Sequence, residues 1–446
     1  MRLTIVVPVF NDASNLRGCL SAIGNSDFRD FELIVADDSS TDDSPRVAAA
    51  HGAIVVSTGT RSGPAHARNL AASVATGDVI CFFDADVCVH RETLGLIAAA
   101  FEEDPELDAL IGSYDDQPIA PDFLSQYKNL MHCYVHQSGR RKASTFWSGC
   151  GAVRRQVFLD HSGFSESYGR PAIEDIELGY RMQMSGRKMV LDPALQVKHL
   201  KRWGFWKLLK TDILDRGVPW TELILRDKCM PNDLNLQLSQ RVSVALVFAV
   251  LTLATYCSIS WGGSFLLPLF GALFVLLARY WGEVASEERS KAGVFWVSAI
   301  VLALVGLAYT YHMRALIPMI LLSYVLLFIR HRHAGKDSRW WKVERFLFGS
   351  FIGLTIMVFL VHLPNHFLVY SFFLLLVVIV LLNNQFYLFL SAKRGRFFTL
   401  AAIPFHLLYH FYNGLSFAIG MALHFWRSLT TRKAVVPRTH PANERQ

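Results

Sequence analysis

The chain has 446 residues, a formal net charge of +7, 52% hydrophobic residues and only 18% charged ones. That length exceeds one ordinary domain, and the apolar excess excludes a purely soluble enzyme of average composition. Many Lys and Arg residues sit in short loops between apolar runs, as in Lys393-Arg394-Gly395-Arg396, which fits the positive-inside rule and argues against a nucleic-acid groove.

In chain order, residues 3–9 form an apolar run of strand length. Met1-Arg2 leads straight into it with no leader, so the first 240 residues are expected on the cytosolic side. Residues 14–24 carry apolar residues at helical spacing after Asn11-Asp12, which can cap them. A second strand at 31–36 ends in Asp37-Asp38-Ser39-Ser40. A helix at 44–51, a strand at 53–57 and a helix at 64–75 follow. The fourth strand, 79–83, ends in Asp84-Ala85-Asp86. This alternation predicts a parallel sheet covered by helices on both faces, with ligands beyond the carboxyl ends of the strands. Both acidic clusters lie at such ends. A later helix at 173–185 opens with Glu174-Asp175. Between residues 203 and 227, Trp203, Trp206 and Trp220 alternate with Lys207, Lys210 and Arg216, which reads as helices lying on a membrane surface or as an ordinary surface helix.

Further on, apolar stretches at 242–261, 264–281, 293–312, 315–329, 346–363, 366–382 and 398–425 lie near the roughly 20 residues that cross a bilayer. None holds an Asp or Glu within its apolar run. The last is interrupted by Pro404 and Asn413-Gly414, so about six to eight spans are expected. The expected division is 1–202 catalytic, 203–240 interfacial, 241–426 transmembrane, and a basic tail at 427–446. Seven cysteines without a CxxC pair suit a reducing compartment and offer no zinc site.

Several residues carry chemistry. In extended backbone Asp84 and Asp86 would point the same way and converge on a hard cation, Mg²⁺ or Mn²⁺, which can bridge a diphosphate. Asp37-Asp38 can accept from a nucleobase N–H or cap the following helix. Arg68 lies near the start of a helix after Gly63-Pro64, where the dipole disfavours a cation, so an anionic partner is expected: a phosphate or an acidic strand end. Glu174 and Asp175 suit the dipole of their own helix, and Asp175 can also take a proton from an acceptor hydroxyl. Glu177 and Arg181 are spaced to pair.

Jointly, Val6-Val7-Pro8-Val9-Phe10-Asn11-Asp12, the Asp37-Asp38 segment, Ala67-Arg68-Asn69, Asp84-Ala85-Asp86, Ser148-Gly149-Cys150-Gly151, Gly163-Phe164 and Glu174-Asp175-Ile176-Glu177 resemble glycosyltransferase family 2 over roughly residues 1–200. The resemblance implies a Rossmann-like α/β domain of the GT-A fold that binds a nucleotide sugar, followed here by an all-α transmembrane domain. It implies an inverting single displacement with a divalent metal and a UDP-sugar donor. Pro8, Phe10, Asp12 and Asp38 would line the nucleoside pocket beside Arg68. Asp84 and Asp86 would hold the metal and diphosphate, with His199 as a further ligand. Gly149, Cys150 and Gly151 would floor the sugar site, and Asp175 would be the base, with Glu174 beside it. Processive members carry a Gln-x-x-Arg-Trp motif. Here the comparable place reads Arg216-Gly217-Val218-Pro219-Trp220. The expected acceptor is a lipid-linked or membrane-proximal glycan at the bacterial plasma membrane, with membrane lipids as partners. A processive synthase and a polyprenyl-phosphate sugar transferase are the alternatives, the latter needing no base because its nucleophile is already an anion.

Overall fold

The computed structural model describes residues 1–260 and 366–433. The expected apolar stretches at 264–281, 293–312, 315–329 and 346–363, and most of the basic tail, lie outside the described residues. The chain divides into two compact units, Met1–Arg241 together with the chain from Tyr412 onward, and Val242–Phe411.

The first unit is built on an eight-stranded sheet: β1 (Leu3–Val9), β2 (Phe31–Asp37), β3 (Ile54–Ser57), β4 (Val79–Phe83), β5 (Val87–Val89), β6 (Ala109–Tyr114), β7 (Cys150–Arg154) and β8 (Met189–His199), in the order β3-β2-β1-β4-β7-β6-β8-β5. The sheet is mixed and not wholly parallel, which corrects the expectation from the alternating pattern. β1 to β4 pair in parallel, but β7 runs antiparallel to β4 and β6, and β5 antiparallel to β8. The helices of this unit are α1 (Ala13–Gly24), α2 (Ser44–Ala50), α3 (Pro64–Val74), α4 (Thr93–Glu103), α5 (Phe123–Gln137), α6 (Arg155–Asp160), α7 (Glu174–Met184), α8 (Phe205–Lys210) and α9 (Val218–Asp227), with a π-helical turn at Thr211–Gly217 joining the last two.

β1 and β4 are buried on both faces, which is why they read as unbroken apolar runs. Leu3, Ile5, Val7, Cys81 and Phe83 pack with Leu16, Leu20 and Ile23 of α1 and Ile97 of α4. Val6, Ile80 and Phe82 face the other way, against Ala67 and Ala71 of α3 and Leu178 of α7. There Phe82 meets Phe158 and Phe164 at ring-centroid distances of 5.3 and 5.0 Å. This double burial fixes the carboxyl ends of β1, β2 and β4 on one rim.

In the second unit the described helices are α10 (Leu238–Ser260), α11 (His366–Leu382) and the first part of α12 (Asn384–Lys433). With the rest of α12 they overlap the expected stretches 242–261, 366–382 and 398–425. α12 is broken at Gly395, whose φ of 82° is left-handed. Among the described residues of this unit, Val247, Val250, Ala254, Cys257, Phe372 and Ile379 form a buried cluster. Asn383 donates to Ser243 Oγ at 2.8 Å. Among the described residues, Leu238–Cys257 is long and apolar enough to cross a membrane, and Ser371–Leu382 with Asn384–Leu429 passes the same test as one pair bent by 65°.

Candidate active site

The site lies on the rim where β1, β2 and β4 end. The chain after β4 does not stay extended, as the Asp84-Ala85-Asp86 reading assumed. It turns, with the Val87 N–H donating to Asp84 O at 3.0 Å, and re-enters the sheet as β5. The two carboxylates therefore sit on a tight turn between strands.

Arg68, on α3, is buried and joins two acids. Its Nη2 donates to Asp84 Oδ1 at 2.7 Å and its Nη1 to Glu174 Oε1 at 2.9 Å. The anionic partner expected near the α3 N-terminus is thus an acidic strand end together with the first residue of α7. Burial penalises the guanidinium charge, but Asp84 and Glu174 outweigh that penalty and raise its pKa. The other oxygen of Glu174 accepts from Ala172 N at 2.9 Å, so Glu174 is committed to Arg68 and to its own loop.

Asp175 is half-buried beside that pair. Its Oδ2 accepts from Ser148 N at 3.0 Å and from Ser148 Oγ at 3.1 Å. Burial and the neighbouring Glu174 charge push its carboxyl up to about 6, against the pull of the Ser148 N–H and of Arg68. A carboxylate at that poise can take a proton near neutral pH. Glu177 and Arg181 form the expected pair at 2.8 Å, and Arg181 also donates to Gly163 O at 2.7 Å.

Among the described residues, the Asp86 carboxylate has no donor at hydrogen-bond distance. Lys201 Nζ stands 3.6 Å and His199 Nε2 3.8 Å from its Oδ2. Burial opposes its ionisation, but His199 and Lys201 overcome this and hold it well below the usual carboxylate range. His199 reaches Asp86 because β5 pairs with β8, Val87 opposite His199. Asn129 donates its Nδ2 to Asp115 O at 3.0 Å, so its Oδ1 is the acceptor facing His199 Nδ1 at 3.1 Å. This assigns a proton to Nδ1 and turns Nε2 toward Asp86. Among the described residues, no three His, Cys, Asp or Glu side chains gather closely enough to cage a metal by themselves. Asp84, Asp86 and His199 fit a hard cation only if phosphate oxygens complete its shell, which is how Mg²⁺ is commonly held.

The four residues assigned to the nucleoside pocket sit along β1 and after β2. Pro8 lies in β1 opposite Ala36. The Phe10 ring lies under the Arg61 guanidinium at 4.1 Å, a partner not singled out in the sequence. Asp12 accepts from Asn15 Nδ2 at 3.0 Å and does not cap α1; Asp42 takes the Ala13 N–H instead, at 3.0 Å. Asp38 is buried and accepts from Ser62 N at 2.7 Å, Gly63 N at 2.9 Å and Thr58 Oγ1 at 3.1 Å. Asp37 accepts from Ser40 N at 3.2 Å. The floor glycines make room for Trp147 and Phe146: a Cβ on Gly149 would lie 2.6 Å from the Trp147 indole, and one on Gly151 2.4 Å from Trp147 O and 2.6 Å from the Phe146 ring. Cys150 is fully buried in β7.

Beyond Asp84 and Asp86 lies a cavity lined by Tyr114, Lys128, His132, Trp147, Trp203 and Arg216. Of these the sequence points only to Trp203 and Arg216, in a segment expected to lie on a membrane surface or to form an ordinary surface helix. Trp203 is buried, whereas Trp206 is 79% exposed. Trp220 donates its indole N–H to Tyr180 OH at 3.1 Å and packs against α7. A signal for the missed set was present in Lys128, His132 and His136, spaced four apart along α5 and therefore on one face.

Residues 4–161 match the family Glycosyl transferase family 2, and this stretch is a domain of that family. Glycosyltransferase GlyG of Streptococcus pneumoniae is 29% identical over 117 residues, 25% of this chain and 38% of that protein. The poly(ribitol-phosphate) beta-N-acetylglucosaminyltransferase TarS of Staphylococcus aureus is 31% identical over 118 residues, 25% of this chain and 20% of that protein. The chain thus covers well under half the length of these curated relatives. Among solved structures, the mannosyltransferase PcManGT from Pyrobaculum calidifontis, in complex with GDP-Man and Mn²⁺, aligns over 75% of this chain and 88% of that one at 19% identity, with a TM-score of 0.42. Asp175, His199 and Arg216 lie beyond the matched family stretch.

Proposed function

We propose that the chain is an inverting, metal-dependent glycosyltransferase of the GT-A type, moving a sugar from a UDP-sugar to a lipid-linked or membrane-proximal acceptor in cell-envelope glycan synthesis. One observation carries this reading: Arg68 ties Asp84, at the open acidic turn, to Glu174, which adjoins Asp175 at about 6. This supports a reading in which the charged leaving group and the proton acceptor share one cleft.

In this reading Pro8, Phe10, Asp12 and Asp38 form the nucleoside end, with Arg61 above Phe10. Asp84 and Asp86 hold the cation and diphosphate, with His199 Nε2 as a further donor. The cation, when bound, neutralises charge on the departing diphosphate. Arg216, which has no carboxylate ion pair among the described residues, offers a second positive group to the same diphosphate. Asp175 takes the acceptor proton, oriented by the Ser148 N–H and O–H. Glu174 is a positioning residue that fixes Arg68. Gly149, Cys150 and Gly151 seat Trp147 at the sugar floor. The apolar helices α10 to α12 anchor the chain in a bacterial plasma membrane with the catalytic unit on the cytosolic side.

A second acceptor class has its own support. The cavity past Asp84 and Asp86 presents Lys201 and Arg216, cations that suit a phosphate nucleophile. One experiment separates the two. Nucleotide release is measured from a panel of nucleotide sugars by full-length protein in detergent with Mn²⁺ and a lipid extract, beside Asp175→Asn. A hydroxyl acceptor predicts a loss of about 10²–10⁴-fold in the variant. Retained activity in the variant assigns a phosphate acceptor. No turnover of any donor by the wild type overturns the enzyme reading.

A further inference from the structure

We propose that the stretch of α12 from Tyr412 to Gly420 completes the catalytic site, with Tyr412 and Asp212 as positioning residues that hold the π-helical turn so that Arg216 faces the diphosphate. This rests on the reading of the site given above and goes beyond it by assigning a role some 200 residues further along the chain.

The turn Thr211–Gly217 carries one residue more per turn than an α-helix, a geometry that is rare and clusters at functional sites. It is anchored from two sides through one buried carboxylate. Asp212 Oδ2 accepts from Lys128 Nζ of α5 at 2.6 Å and from Tyr412 OH of α12 at 2.6 Å. Lys128, Asp212 and Tyr412 are all buried. Lys128 already balances the Asp212 charge, so the tyrosine hydroxyl is not needed for neutrality. It adds a further hydrogen bond, which a buried ion pair requires to be favourable, and a third fixed point on the turn.

The backbone approach is equally close. A Cβ on Gly217 would lie 2.6 Å from Ser416 Cβ, and one on Gly420 would lie 2.5 Å from Thr221 Cβ. α12 therefore lies against the π turn and α9 at distances only glycine permits. On the other side of the turn, Arg216 Nη1 donates to His132 Nε2 at 3.3 Å, and Arg216 lines the cavity with Asp84, Asp86 and Trp147. Lys128 and His132 are one turn apart on α5, so a single helix face grips both the anchor and the presented cation. Burial, with Lys128 and Arg216 nearby, keeps His132 neutral and able to accept.

The test uses full-length protein in detergent and two probes, UDP and UMP, each with Mn²⁺, by calorimetry. Tyr412→Phe should weaken UDP binding about tenfold and UMP binding less than twofold, because only the larger ligand carries the second phosphate. Arg216→Ala should weaken UDP at least as much, and the double variant should be no weaker than Arg216→Ala alone, since both changes remove one interaction. Gly420→Ala, which pushes α12 off Thr221 while leaving the hydroxyl, should reproduce the selective loss. Arg427→Ala, which removes the outer pair with Glu222, should leave both affinities unchanged. Equal weakening of UDP and UMP by Tyr412→Phe, or additive losses in the double variant, would overturn the positioning role while leaving the enzyme reading intact. A wild type that binds neither nucleotide overturns the donor reading on which the inference stands.

Discussion

Two acidic clusters close the two parallel strands that flank β1, Asp37-Asp38 at the end of β2 and Asp84-Ala85-Asp86 after β4. In sequence they are the same device: paired carboxylates at a strand end. In the structure they differ in what fills their lone pairs. Asp38 is saturated by two backbone N–H groups and a hydroxyl, and Asp37 takes the Ser40 N–H. Among the described residues Asp86 has only Lys201 and His199 facing its carboxylate, at 3.6 and 3.8 Å, and Asp84 gives one oxygen to Arg68. A carboxylate whose acceptors are filled by its own chain shapes a loop. One held ionised with its acceptors open is available to a ligand.

The sharpest way to break this contrast is to neutralise one acid of each kind. Asp86→Asn should lower sugar-transfer turnover by roughly three orders of magnitude, the several kcal/mol a bound cation supplies, and leave the thermal midpoint nearly unchanged. Asp38→Ala should do the reverse in emphasis. It strands the Gly63 and Ser62 N–H groups, at roughly 1–3 kcal/mol for a buried donor. The midpoint should then fall by several degrees, with turnover reduced far less than by Asp86→Asn. Thermal scanning and nucleotide release on both variants check the pair. Equal midpoints with equal turnover losses would erase the distinction.

The contrast also marks how much the sequence could disclose. The strands from β1 to β4 are legible because double burial demands unbroken apolar runs, as in Val79–Phe83. The later strands are not. β8 holds Pro193 at its centre, and its pairing with β6 shifts register between Ile111 and Ser113, so no clean alternation survives. Nor is the direction of β7 encoded locally; it follows from where α5 and the loop after it return the chain. Among the site residues, Asp84, Asp86 and Arg68 stand out by position. Trp147, Lys128 and His132 do not, because their burial depends on partners far along the chain, such as Asp212 for Lys128. Whether an acid is open or saturated is likewise a tertiary property, since the donors to Asp38 come from the loop ahead of α3.

The smallest expected effect tests whether Asp175 belongs with the open acids or the saturated ones, for it has features of both. It accepts two hydrogen bonds from Ser148, yet burial and Glu174 push it up to about 6. If it acts as the base, transfer must fall below that pH as the carboxyl is protonated. Ser148→Ala removes the hydroxyl donor and keeps the backbone one. A hydrogen bond to the ionised form favours it, so its loss disfavours ionisation, and the acidic limb of kcat/KM should move upward by about half a unit. Activity at pH 8 should be close to that of the wild type, while activity at pH 6 should fall by about twofold. A downward shift would mean that the hydroxyl serves the protonated acid. An unmoved limb would assign the titration to another group, and Asp175 would join Asp38 as a loop-shaping carboxylate.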